Sequence, residues 1–154
     1  MGGFLFMIEK KDVIRMRIPY PNINSDLAKN AHMYICLENH PKKFLKCQTS
    51  NRHALSKKNP PYQFVKADAN INHTPFKRAT LIDCDKSFVV NKDIIINEDL
   101  LTTRRRDISG KLFDQLKEKI NHNDFREVVL DAKTVMQLNS GIKLAEQIVS
   151  KAVI

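Results

Sequence analysis

No C-x-x-C pair, no glycine-rich phosphate loop and no long apolar run occurs in this 154-residue chain. The three cysteines, Cys36, Cys47 and Cys84, are an odd number at unrelated spacings. A disulfide framework is therefore not expected, and a reducing cytoplasm is the expected compartment. The apolar stretch Phe4–Ile8 has five residues, too few for a signal-peptide core or a membrane span, so no membrane association is expected. Phe6 stands where an N-myristoylation pattern requires Ser or Thr. Neither G-x-G-x-x-G, G-x-x-x-x-G-K-[ST] nor H-E-x-x-H is present, which removes the usual warrants for nucleotide-driven chemistry and zinc hydrolysis. His32, Cys36 and His40 recur every four residues, but an alternating strand puts His32 and His40 about 27 Å apart at ~3.4 Å per residue. No metal and no cofactor are expected.

What is present is positive charge, and it is lopsided. The formal net charge is +9. Residues 1–80 hold 14 Lys/Arg against 5 Asp/Glu, residues 81–123 hold 8 against 8, and residues 124–154 hold 4 against 4. The whole excess sits in the first half, the distribution expected of a polyanion-binding surface, with nucleic acid the usual polyanion. A merely solvated basic surface is the plain alternative.

The apolar pattern divides the chain. In residues 12–18, Ile14, Met16 and Ile18 alternate with Val13, Arg15 and Arg17, the period of a half-buried strand. A loop rich in Pro, Asn and Asp follows, then a strand predicted to turn Met33, Ile35 and Leu37 inward and His32, Tyr34, Cys36 and Glu38 outward. Further strands are expected over 43–50, 62–67 and 80–90, which implies a small antiparallel barrel. Helical spacing begins at Ile108, with Ser109 as N-cap. A second helix is predicted from Asp124, with Phe125, Val128, Val129, Ala132, Val135 and Met136 on its inner face and Gly141 at its end. Ile142, Ala145, Ile148, Val149 and Ala152 mark a third amphipathic segment. The expected fold is α+β: a small antiparallel β-barrel with its closing helix over 1–123, followed by a helical C-terminal extension over 124–154.

The acids of "TLIDCDKSFVV" stand out. Asp83 and Asp85 flank Cys84 inside an apolar run, and two positions two apart in a strand share a face. The other reactive groups are His32, Thr49-Ser50 and Arg52-His53. Each has an ordinary role open to it: surface imidazole, turn hydroxyl, loop solvation, local salt bridge. Taken in order, however, "KKDVIRMRI", Ser25-Asp26, "NAHMYICLEN", "LKCQTS", "DCDKSFVV" and "ISGKLFDQLKEKI" resemble the PemK/MazF family of toxin mRNA endoribonucleases from Glu9 to Ile120. Lys11 stands where that pattern usually has Gly, and Ala31-His32-Met33 occupies the place of its Arg-Pro.

The resemblance implies an SH3-like barrel, a homodimer and an antitoxin protein as partner. It implies a type II toxin that cuts single-stranded RNA without metal, through attack by the RNA's own 2′-hydroxyl, leaving cyclic-phosphate and 5′-hydroxyl ends. Such chemistry needs a base, an acid and support for the phosphorane. Under it, Asp85 takes the 2′ proton and Asp83 raises its basicity. His32 is the expected acid, with the roles of Asp85 and His32 open to exchange, and Thr49 and Ser50 hydrogen-bond phosphate oxygen. Lys29, Arg52, His53, Arg78 and Lys86 are the expected RNA contacts. A noncatalytic barrel that binds nucleic acid or protein would share the basic first half and need neither His32 nor Asp85.

Overall fold

The computed structural model describes residues 5–6, 8–49 and 61–145. The fold is mixed α+β, mostly antiparallel strands with few helices. In chain order it comprises β1 (Leu5–Phe6), β2 (Val13–Met16), α1 (Asp26–Lys29), β3 (His32–Asn39), β4 (Lys42–Thr49), β5 (Phe64–Ala67), β6 (Thr80–Asp83), β7 (Lys86–Val90) and β8 (Ile94–Asn97). A 3-10 turn (Glu98–Leu100), α2 (Gly110–Lys119), β9 (Arg126–Leu130), α3 (Ala132–Leu138) and β10 (Ile142–Leu144) complete it.

The main sheet has the order β2-β3-β4-β6-β5, with β7 also on β4 and β9 parallel to β7. Among the described residues no pairing joins β2 to β5, so the strands form an open sheet and not the closed barrel the alternation predicts. Each face carries its own core. On one, Ile14, Met16, Tyr34, Cys36, Phe44 and Phe88 pack against Ile94, Ile96 and Ile142 of the small sheet β1-β8-β10. On the other, Val13, Ile35, Leu45 and Ile82 pack under Leu112, Phe113 and Leu116 of α2. Two covered faces explain why β3 departs from the inside/outside expectation. Tyr34 and Cys36, predicted to face outward, are fully buried in the first core, while Ile35 and Leu37 fill the second.

Local signals hold where chain chemistry alone decides. Arg15 and Arg17 reach solvent between buried Ile14, Met16 and Ile18. Ser109 caps α2, its hydroxyl accepting from the Leu112 N–H at 3.2 Å. Beyond Asp124 the expectation fails. Arg126–Leu130 is strand β9, aligned parallel with Lys86–Val90, because β-branched Val128 and Val129 have an open sheet edge to join. The helix starts at Ala132, eight residues past Asp124, is capped by Asp131 and ends at Leu138 before Gly141. Asn139 then fastens it to the sheet, its side-chain amide exchanging hydrogen bonds of 2.7 Å with both main-chain groups of Arg17. Residues 124–145 are thus part of both sheets, with β10 antiparallel to β8. Glu146 onward lies outside the described residues.

Candidate functional site

The 80–90 run is not one strand. Cys47 of β4 faces Ile82 and Phe44 faces Phe88, so three steps along β4 match six along the run. Three extra residues are looped out where β6 gives way to β7. The two acids hold this loop. Asp83 Oδ1 accepts from the Asp85 N–H at 2.7 Å, and its Oδ2 meets Lys86 Nζ at 3.1 Å. Asp85 accepts from the N–H of Tyr62 at 2.7 Å and of Gln63 at 2.8 Å, one to each carboxylate oxygen. Their main chains complete the junction: the Cys84 N–H donates to Gln63 O at 2.9 Å, and Arg126 N–H donates to Asp85 O at 3.2 Å. The His122 Nε2–H donates to Cys84 O at 2.9 Å. The sheet forks here, with β5 alongside β6 on one branch and β9 alongside β7 on the other.

A cleft of about 470 Å³ opens at the fork, lined by Lys46, Tyr62, Asp83, Asp85, Lys86, His122, Asp124 and Arg126 among others. Two of its cations are oriented by one ring: Lys86 Nζ lies 5.8 Å from the Tyr20 ring centroid, and Arg126 Nη2 donates to the Tyr20 hydroxyl at 3.3 Å. Tyr62 is 94% exposed. Three cations meet three carboxylates in the cleft, so the basic excess of the chain is not concentrated in it. The arrangement brings both signs of charge and an imidazole into one concavity, with Tyr62 among its lining residues. Burial and the charge of Asp83 push the Cys84 thiol up to about 12, which keeps it protonated near neutrality.

The expected site residues are distributed unevenly. Asp85 and Lys86 line the cleft. His32 does not; its ring is held in its own segment, Nδ1 at 2.9 Å from Asn30 O and Nε2 at 3.4 Å from Asp26 Oδ2. Thr49 ends β4 on the face of Cys47, opposite Thr80. His32 shares the face of Tyr34, which packs in the other core. Alternation therefore sends Thr49 and His32 to opposite sides of the sheet. Arg78 is exposed two residues before Thr80, and Lys29 is exposed at the end of α1. Ser50, Arg52 and His53 lie outside the described residues.

Lys46, Tyr62, His122 and Arg126 are among the cleft residues that the sequence did not single out. For Tyr62 the signal was an aromatic directly after Pro60-Pro61 in a polar loop. For His122 and Arg126 there was none, because their position depends on the parallel pairing of β9 with β7. Among the described residues no three His, Cys, Asp or Glu side chains are placed to hold a metal ion, and no helix is long and apolar enough to cross a membrane. Comparison of the chain with protein-family models, curated proteins and solved structures yields no match.

Proposed function

We propose that this chain acts on single-stranded RNA at the fork cleft, as a metal-independent endoribonuclease of the PemK/MazF type and the toxin of a toxin–antitoxin pair. The observation that carries this reading is the meeting of Asp85, His122 and three cations in one concavity. In the proposed step the RNA 2′-oxygen attacks the adjacent phosphorus and the bond to the 5′-oxygen breaks. Asp85 takes the 2′ proton, and a histidine returns one to the leaving oxygen. Lys46, Lys86 and Arg126 offset charge on the phosphorane. His122 is the imidazole in the cleft and His32 the one outside it, so His122→Ala and His32→Ala separate the two as acid. One backbone feature favours the resemblance: Lys11, where the family pattern has Gly, lies at φ 80°, a region glycine adopts freely. The open sheet is, in this proposal, a derivative of an SH3-like barrel, and the partners are a second copy and an acidic antitoxin.

A specific observation favours a second reading, a noncatalytic RNA-binding module. Both carboxylate oxygens of Asp85 already accept main-chain hydrogen bonds, so the group is engaged in holding the turn. Incubation with single-stranded RNA in excess EDTA decides between them. Cleavage to cyclic-phosphate and 5′-hydroxyl ends supports the enzyme; retention of intact RNA supports the module; neither cleavage nor retention overturns both.

A further inference from the structure

The fork answers why two acids interrupt an apolar strand, and the answer points to Tyr62. Both oxygens of Asp85 fasten the consecutive amides of Tyr62 and Gln63. The main chain of Tyr62 is therefore fixed while its ring stands almost wholly in solvent, 94% exposed. A singly exposed tyrosine is unremarkable on most surfaces. This one lines a cleft it shares with Lys46, Lys86 and Arg126. Phe64, two residues on, is 39% exposed at the start of β5. β5 pairs only with β6, so its outer edge carries no further strand among the described residues.

A nucleotide presents two chemistries at once, a flat ring with a π-face and an anionic phosphate. Stacking on an aromatic plane suits any unpaired base, while a paired base has its faces covered by its neighbours. The cleft volume of about 470 Å³ lies within the range of about 300–1,000 Å³ typical of small-ligand sites. We propose that Tyr62 is the stacking plane for one unpaired nucleobase, whose phosphate lies among Lys46, Lys86 and Arg126 of the same cleft. This rests on the single-stranded RNA reading above and adds what that reading lacks, a seat for the base. Every base has a π-face, so the seat selects unpaired over paired strands and not one base over another.

The test uses the full chain and a 2′-O-methyl RNA oligonucleotide, which lacks the attacking hydroxyl and stays intact. One position carries 2-aminopurine, and in a second version that position is abasic. Binding is followed by anisotropy and by 2-aminopurine quenching. Tyr62→Ala is expected to weaken binding about 5- to 150-fold and to abolish quenching, whereas Tyr62→Phe keeps both within about twofold. The abasic strand should lose a similar factor against the wild type and nothing further against Tyr62→Ala. A single-stranded DNA of the same sequence should retain the Tyr62 dependence, since the stack does not use the 2′ position. If wild type binds but Tyr62→Ala binds equally well, or Tyr62→Phe is as weak as Tyr62→Ala, the stacking proposal is overturned and the RNA reading stands. If the wild-type protein binds neither RNA nor DNA, the reading itself falls and takes the stack with it.

Discussion

Two aspartates organise two turns of this chain, and they do so in opposite settings. Asp12 is buried, 2% exposed, and accepts from the Glu9 N–H at 2.8 Å and from Arg106 at 2.9 and 2.6 Å. Its charge is answered by a bidentate partner from 94 residues along the chain, and the site is closed. Asp85 makes the same kind of main-chain bonds at the fork, yet beside it lie Lys46, Lys86, His122 and Arg126 around an open cleft. A carboxylate that ties a turn is thus not by itself a functional sign. The difference lies in what surrounds it: one guanidinium pressed onto Asp12, several cationic and imidazole groups around an open cleft beside Asp85.

Each turn also encloses a thiol, and there the two sites behave alike. Cys36 exchanges main-chain hydrogen bonds with Lys11 and Asp12 at 2.9 and 2.8 Å, and Cys84 sits in the fork. Burial pushes both thiols from 9.0 up to about 12. The folded state keeps these protons while the unfolded chain releases them above pH 9. Their contribution is therefore present in full below pH 9 and is lost as pH rises from there toward 12. The largest expected effect follows: the urea midpoint stays level from pH 7 to 8.5 and then drops steeply. Cys36→Ala and Cys84→Ala should each flatten part of the drop. Flattening by Cys36→Ala alone would break the likeness and show the fork thiol to be solvated.

Asp12→Ala removes three charged hydrogen bonds, two of them from Arg106, with an expected loss of about 3 kcal/mol. The value is held down because the Arg106 side chain is 48% exposed and recovers water. Asp85→Ala should cost less, about 1–2 kcal/mol, since the amides of Tyr62 and Gln63 gain access to water at the cleft. Chemical denaturation of the two variants measures the ratio directly. An equal or larger loss for Asp85→Ala would mean the fork is as closed as the Asp12 turn and would remove the basis for a binding cleft there.

The contrast also marks what was legible in the sequence. Strand period located β2, β3, β4 and β5 and marked 80–90 as one strand where β6 and β7 lie, and Ser109 announced α2, because each depends on neighbours within a few residues. The burial of Tyr34 and Cys36 was not legible: period two names two faces but not whether a second layer covers the outer one. Val128 and Val129 fit a helical stripe as well as a strand, and only the free edge of β7 decided between them. The acid pair was visible as an anomaly. Its partners, the amides of Tyr62 and Gln63, were not, since main-chain groups carry no sequence signal.

The smallest expected effect lies beside Asp12. Lys11 is the residue whose N–H donates to Cys36 O and whose carbonyl accepts from the Ile108 N–H at 3.0 Å, and these bonds hold it at φ 80°. A side chain with a Cβ pays about 1–2 kcal/mol in that region. Glycine adopts it without strain but gives the unfolded chain more freedom to lose. Lys11→Gly should therefore stabilise the protein by about 1 kcal/mol or somewhat less, whereas Lys11→Ala should leave stability nearly unchanged because its Cβ remains. Equilibrium denaturation of both variants separates backbone strain from the lost lysine charge. Destabilisation by Lys11→Gly alone would mean that the unfolded-state term dominates and that the turn is held by Asp12 without measurable strain.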